Sequence, residues 1–278
     1  MSARLVAAGH TVIGYDVSEQ ARQRLAAAGG HDQRSLSDVA KGARLVILML
    51  PNSDVVASVL EDAALLERLE PGAIVVDMSS SEPLRTRALA ESLGERAVRM
   101  LDAPVSGGVS GAEAGKLTIM VGGDASDVAE AKPYLAELGR MVHVGPIGSG
   151  HAVKALNNLL SATHLWATSE AMLIGERFGI DPEVMLSVFN SSSGRSGSTE
   201  NKWPNFIIPG TFDSGFGLRL MLKDMNIAIQ LAKQVGAPDA LGSCALDLWD
   251  RASQGLPATA DHTEIARWLA EGVRASGQ

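Results

Sequence analysis

The sequence predicts a Rossmann-type α/β domain built on a parallel sheet, followed by an all-α domain. Three observations carry that expectation. From Thr11 to Val144, short β-branched runs (TVIGYD, ARLVILML, AIVVDMS, RMLDAPV, KLTIMVGG and MVHVG) alternate with amphipathic stretches, the pattern of parallel strands joined by crossover helices. After Gly145 and Pro146 the strand signals stop and the rest reads as helices. The chain also opens on MSARLVAAGHTVIGYD, in which Ala3, Leu5, Val6 and Ala8 end an apolar helical face, Gly9 stops the helix, and Thr11 to Tyr15 form a strand closed by Asp16.

That opening reads as the second half of a dinucleotide-binding βαβ unit. The first strand and its glycine turn are therefore expected upstream of Met1, so the domain reads as incomplete at its N-terminus. The boundary falls near Pro146, giving a Rossmann-like nucleotide-binding domain over 1–146 and an all-helical domain over 147–278. Within the latter, a long helix runs from Gly148 through Phe178, others open at Asp181 and near Gly217 and Asp239, and the last starts at Asp261. Asp181-Pro182 is a clear start, an N-cap followed by proline in the first helical position.

Bulk properties narrow the function. The 278 residues, 46% hydrophobic, suffice for two cores. The longest apolar run, 43–50, is too short to span a bilayer. Lysines and arginines are dispersed in a chain of net charge −8, which leaves no footprint for nucleic acid and points to small-molecule partners. A single cysteine, Cys244, makes no internal disulfide, and no leader is visible, so a reducing cytoplasm is expected. Cys244 itself, in an apolar helical stretch, reads as a small core residue. The six histidines show no ligand spacing, so no metal site is expected.

In open parallel sheets, ligands lie beyond the carboxyl ends of the strands, which singles out Asp16, Pro51 to Ser53, Ser79 and Ser80, and PVSGGVSG at Pro104 to Gly111. Asp16 either accepts hydrogen bonds from ribose hydroxyls, favouring NAD over NADP, or is a surface turn residue. In DAPVSGG, two glycines after a serine either let backbone N–H groups approach an anion or serve only a tight turn. GSGHAVKALNNLL opens the long helix and puts Lys154 and Asn158 on one face, with Asn157 beside it. Paired asparagines are poor helix residues, and Lys154 is either a proton donor and acceptor or a solvated lysine. His151, one turn before Lys154, reads as an ordinary helix-start residue. Lys223 and Asp224, within LMLKDMNIA, read as a charge pair on an exposed side. The stretch from Asn190 to Pro204, with Arg195 and Lys202, reads as a polar loop that either helps close a site or merely connects helices.

Taken in order, DAPVSGGVSGAEAGKLTIMVGG, the Gly148-to-Asn158 pattern and LMLKDMNIA closely resemble the β-hydroxyacid dehydrogenase family over the whole chain. The resemblance implies a Rossmann domain, a helical domain like that of 6-phosphogluconate dehydrogenase, and assembly as a homodimer or homotetramer. It also implies hydride transfer between NAD and a small 3-hydroxy acid or its semialdehyde. By residue matching, Ser106, Gly107 and Gly108 hold the substrate carboxylate, Lys154 is the general acid/base and Asn158 assists it. Leu50, Pro51 and Ser79 lie along the cofactor, Lys223 closes over it, and Asp16 matches the acid of NAD-preferring members. Family members begin with a strand and a Gly-x-Gly-x-x-Gly turn that Met1 would follow, so this chain is expected to be truncated, through a misplaced start, and to bind NAD weakly. The alternative is a non-catalytic oligomerisation or ligand-binding relative that has lost cofactor binding.

Overall fold

The β-branched runs become strands in a computed structural model that describes residues 1–275 and divides into two units, Met1–Lys154 and Ala155–Gln278. The first unit opens with α1 (Ser2–Ala7), which ends at Gly9 with φ +87°. Then come β1 (Ile13–Gly14), α2 (Glu19–Ala27) and β2 (His31–Asp32). β1 and β2 pair in parallel as a two-stranded sheet of their own. Of the run TVIGYD, only Ile13 and Gly14 are strand.

The larger sheet follows. It takes up α3 (Ser37–Ala40), β3 (Leu45–Leu48), α4 (Ser53–Leu60), α5 (Ala63–Leu66), β4 (Ile74–Asp77), α6 (Pro83–Gly94), β5 (Arg99–Asp102), β6 (Val105–Ser106), α7 (Gly108–Ala114), β7 (Leu117–Gly122), α8 (Ala125–Leu135) and β8 (Gly139–Gly145). β3, β4 and β5 are parallel, with Leu48, Asp77 and Asp102 in register at their ends. Side chains alternate between two covered faces. Ile74, Val76, Leu101, Ile119 and Val121 share a core with Ala131 and Leu135 of α8, while Val46, Leu48, Val75 and Met100 pack with Val56, Leu60 and Leu93. Burial on both faces is why these strands read as continuous apolar runs.

The sheet is not parallel throughout. β7 runs antiparallel to β5 and β6, and β8 parallel to β7. After Pro104 the chain continues along its line as β6, turns through the seven-residue α7 and comes back as β7. Residues 103–116 are thus spent on a return, and only α8 serves as a crossover here.

The second unit is helical. α9 (Ser149–Phe178) begins in the first unit and continues into the second; α10 (Pro182–Asn190), α11 (Leu218–Val235), α12 (Ala240–Gly255) and α13 (Ile265–Ala275) follow. Asp181 caps α10 by accepting from the Glu183 and Val184 N–H groups, as Asp-Pro predicts. The core holds Leu165, Met172, Met221, Met225 and Ile265 around Trp249, and Trp166 lies 6.3 Å from Trp249 and 6.1 Å from Trp268 between ring centroids. The stretch expected to be a polar loop is instead a π-helix over Ser198–Ile207, with Ser198, Thr199 and Trp203 buried. Its apolar residues, Trp203, Phe206 and Ile207, are outnumbered in the sequence by polar ones, yet Trp203 and Ile207 join the core of the unit. Cys244 is exposed rather than in the core, because the buried stripe of α12 runs through Ala245, Trp249 and Ala252. Among the described residues no helix is long and apolar enough to cross a membrane.

Before α13, a 3₁₀ turn (His262–Glu264) is organised by Asp261, whose carboxylate accepts from the Thr263 N–H and hydroxyl, the Ser214 hydroxyl, and the Gly215 and Phe216 N–H groups. Burial pushes the Asp261 carboxyl up, but the bonds from His262, Thr263 and Ser214 outweigh it and hold it far below the ordinary 3.8. A carboxyl lowered on folding adds stability above its ordinary value and loses it as pH falls through the folded one. Asp261→Asn should therefore lower the melting temperature at pH 7 and flatten its decline between about pH 4 and pH 2, read by circular dichroism. Trp249→Ala should cost about 3–5 kcal/mol in chemical denaturation. Trp249→Phe should cost much less, because the indole N–H has no hydrogen-bond partner in the folded chain.

Candidate functional site

The ends of β3, β4 and β5 stand in register, so the residues past them gather along one edge of the first unit. Past β3, the Leu50 N–H donates to the Ser79 hydroxyl at 2.9 Å, linking the two predicted cofactor residues. Asn52 caps α4, its side-chain oxygen accepting from the Val55 N–H, and the Ser53 hydroxyl accepts from the Glu82 N–H. Past β4, Ser79 is buried and its N–H donates to Asp77 Oδ1 at 2.9 Å. Pro51 lies between Leu50 and this cap. Asp16, after β1, is exposed and accepts from the Ser18 N–H at 2.8 Å.

Past β5, Ser106 ends β6, and Gly107 and Gly108 take φ +125° and +63°. A Cβ on Gly107 would stand 3.3 Å from Leu117 Cδ2. The turn thus demands glycine there whether or not an anion binds.

The glycines at the head of α9 have a packing reason. Gly148 has φ +86°, and a Cβ there would meet the Pro83 carbonyl oxygen at 2.8 Å; a Cβ on Gly150 would run into the Met120 carbonyl oxygen. Lys154 follows in the next turn and is buried, an uncommon state for lysine. His151, read as ordinary from sequence, has a fully buried side chain.

In the second unit, Asn158 and Asp224 are both buried, and the Asn158 amide donates to Asp224 Oδ2 at 2.6 Å. Lys223 Nζ lies 3.6 Å from Asp224 Oδ1. The pair read as lying on an exposed side therefore has its acid inside, because Asp224 falls on the buried stripe of Met221, Met225 and Ala228. Arg195 is engaged by Glu200 at 2.7 Å. Lys202 stands 5.6 Å over the Phe206 ring, and burial lowers its ammonium pKa while the Asp261 charge opposes that. Sequence reading gives no role to Asp77, Asp102 or Thr86; an acid at the end of an apolar strand is the signal for the first two.

Two family models match. The NAD-binding domain of 6-phosphogluconate dehydrogenase covers residues 1–146, and the NAD-binding model of NADP-dependent 3-hydroxyisobutyrate dehydrogenase covers 148–269. The chain belongs to the 3-hydroxyisobutyrate dehydrogenase family. The match to 6-phosphogluconate dehydrogenase covers the first 146 residues. Since that match begins at residue 1, it does not support the expected truncation. An NAD-dependent L-serine dehydrogenase of Pseudomonas aeruginosa is 38% identical over 90% of this chain and 86% of its own length. A 2-(hydroxymethyl)glutarate dehydrogenase of Eubacterium barkeri is 34% identical over 90% and 84%. The structure of Mycobacterium tuberculosis 3-hydroxyisobutyrate dehydrogenase with L-serine superposes with a TM-score of 0.91 at 32% identity, over 96% of this chain and 94% of that one.

The Asn158 contact has a measurable consequence within the second unit. Asn158→Ala removes a 2.6 Å hydrogen bond to a buried carboxylate, and should destabilise the chain by about 1–3 kcal/mol in urea denaturation. Asn158→Ser, a smaller donor, should cost no less if distance decides.

Proposed function

We propose that Lys154 is the general acid/base of an NAD-dependent oxidoreductase acting on small 3-hydroxy acids or their semialdehydes. The observation that carries this reading is a buried lysine in the second turn of a helix whose head is fixed to the sheet edge. Serine, 3-hydroxyisobutyrate and 2-(hydroxymethyl)glutarate, named for the relatives, share a hydroxymethyl carbon next to the carbon that bears a carboxylate. A site for that fragment needs an anion cradle and a proton acceptor for the hydroxyl.

The residues fit both needs. Ser106, with the backbone at Gly107 and Gly108, holds the carboxylate. Lys154 Nζ, when neutral, takes the hydroxyl proton during oxidation, and as an ammonium returns one to the alkoxide during reduction. Asn158 orients the amine or the substrate. The donor set of the first unit also fits a dinucleotide: the exposed Asp16 carboxylate suits ribose hydroxyls and repels a 2′-phosphate, and Leu50, Pro51 and Ser79 line the strand ends beside it. Lys223 is assigned as a further cofactor residue. Bound NAD supplies the hydride acceptor, and NADH the donor.

We place the functional boundary at 146/147, and the assembly as a homodimer or homotetramer through the exposed apolar side chains Ile174, Phe178, Val184 and Val188 of α9 and α10. The single cysteine fits a reducing cytoplasm. The non-catalytic alternative is not favoured, since dehydrogenases match about nine-tenths of the chain.

The test is turnover of 3-hydroxyisobutyrate, serine, glycerate, threonate and 4-hydroxybutyrate with NAD and with NADP, followed by NADH absorbance. A 3-hydroxy acid with NAD should be preferred. Lys154→Met should lower kcat by about 10²–10⁴-fold with the melting temperature unchanged within a few degrees. Full activity in Lys154→Met would refute the assignment of the base.

A further inference from the structure

A buried cluster in the first unit, outside the residues assigned above, ties their supports together. Asp77, Thr86, Asp102 and His151 are each at most 1% exposed. Their hydrogen bonds converge on the head of α9. Asp102 Oδ1 accepts from the Gly148 N–H at 2.7 Å, and Oδ2 from the His151 N–H at 2.7 Å. The first N–H groups of a helix have no partner in the helix itself, and an anion there also meets the positive end of the helix dipole. Asp102 supplies that anion from a strand far away in sequence.

The imidazole does the same for β4 and α6. His151 Nε2 lies 3.1 Å from the Ser79 carbonyl oxygen, which only accepts, so Nε2 carries the hydrogen and donates it. His151 Nδ1 lies 2.9 Å from the Thr86 hydroxyl. Asp77, in register with Asp102, receives the Ser79 N–H and the Ser81 hydroxyl at 2.9 and 2.8 Å. His151 thereby joins Ser79, Asp102 and α9, which are the cofactor edge, the strand that feeds the Ser106 turn, and the helix of Lys154. The wedge has no slack: a Cβ on Gly122 would run into Asp102 Oδ1.

We propose that His151, held by Asp102 and Thr86, is a positioning residue that sets the first turns of α9 and through them the direction of Lys154; this rests on the reading of Lys154 as acid/base. Removing the imidazole frees the helix head from Ser79 and Thr86 and lets the amine wander. A misplacement of about 1 Å at a reacting group costs about 10²-fold in rate.

The experiment compares the full chain with Lys154→Met, His151→Leu, His151→Gln and Thr86→Val. Its readouts are kcat and KM for the best acid of the panel, the melting curve, and amide hydrogen exchange over residues 148–154 without cofactor. His151→Leu is expected to lose about 10- to 100-fold in kcat with KM moved less than about threefold, and to exchange faster at 148–154. Glutamine reaches the Ser79 carbonyl with an amide N–H, so His151→Gln should regain most of that kcat. Thr86→Val should fall between wild type and His151→Leu. Wild-type kcat in His151→Leu, or equal loss in the leucine and glutamine variants at equal melting temperature, overturns the proposal. If His151→Leu does not fold, an unchanged kcat in Thr86→Val overturns it and a reduced kcat at constant KM supports it. If the unaltered chain turns over no acid of the panel, unchanged exchange at 148–154 in the folded variants overturns it, and faster exchange supports it. Full activity in Lys154→Met, by contrast, removes the acid/base reading itself.

Discussion

The seating of α9 on one buried carboxylate is the constraint from which the arrangement of the first unit follows. Asp102 ends β5 in register with Asp77 and Leu48, and its two oxygens are taken by N–H groups of the helix head. A carboxylate buried at 0% exposure is costly unless it is fully hydrogen-bonded. That cost locks position, since a shifted helix would leave both the acid and the helix amides unsatisfied. The glycines at 148 and 150 let the helix backbone reach the strands closely enough for those bonds to form. Sequence features that look separate, an acid before Ala-Pro and a Gly-Ser-Gly before a helix, are two halves of one contact.

The same logic explains why the candidate residues sit where they do on the sheet. Three parallel strands with aligned ends deliver Leu50, Ser79 and the Ser106 turn to one edge. The apolar layers beneath them hold those strands on both faces. Ser79 is fixed through its amide, its hydroxyl and its carbonyl, so it is restrained in all directions by groups from β3, β4 and α9. A residue proposed to line a dinucleotide gains from such restraint, because its contribution is then not offset by ordering on binding.

Much of this was legible in the sequence, and the failures have physical reasons. Strands buried on both faces announce themselves as apolar runs, so β3, β4, β5 and β7 are legible in the sequence, and Asp181-Pro182 marks the start of α10 by local chemistry alone. The direction of β7 was not legible, since strand composition carries no sign and the return through β6 depends on where α7 turns. The π-helix at Ser198–Ile207 was hidden because polar residues dominate the stretch and only Ser198, Thr199 and Trp203 of it are buried. His151 and Asp224 were misjudged for a different reason. A charged or titratable residue is usually solvated, and only its partners, Ser79 and Thr86 for the one and Asn158 for the other, distant in sequence by dozens of residues, reveal that it is inside.

Those buried polar groups also separate two ways of viewing the molecule. A chain selected only to fold or assemble gains little from placing Asp77, Asp102, His151 and Asp224 where leucine or methionine would fill the same space, because well-packed apolar replacements of buried polar clusters are often neutral or stabilising. Each unit nevertheless retains such a cluster, and each cluster stands within one or two turns of a residue to which chemistry is assigned: His151 before Lys154, and Asp224 beside Lys223 and against Asn158. Asp224 even keeps one oxygen without a hydrogen bond inside the helical core. Interiors built for stability alone satisfy or exclude such atoms, so the persistence of this one, in a carboxylate held by Asn158 and beside Lys223, is the mark of a fold that trades some stability for the placement of a few polar atoms.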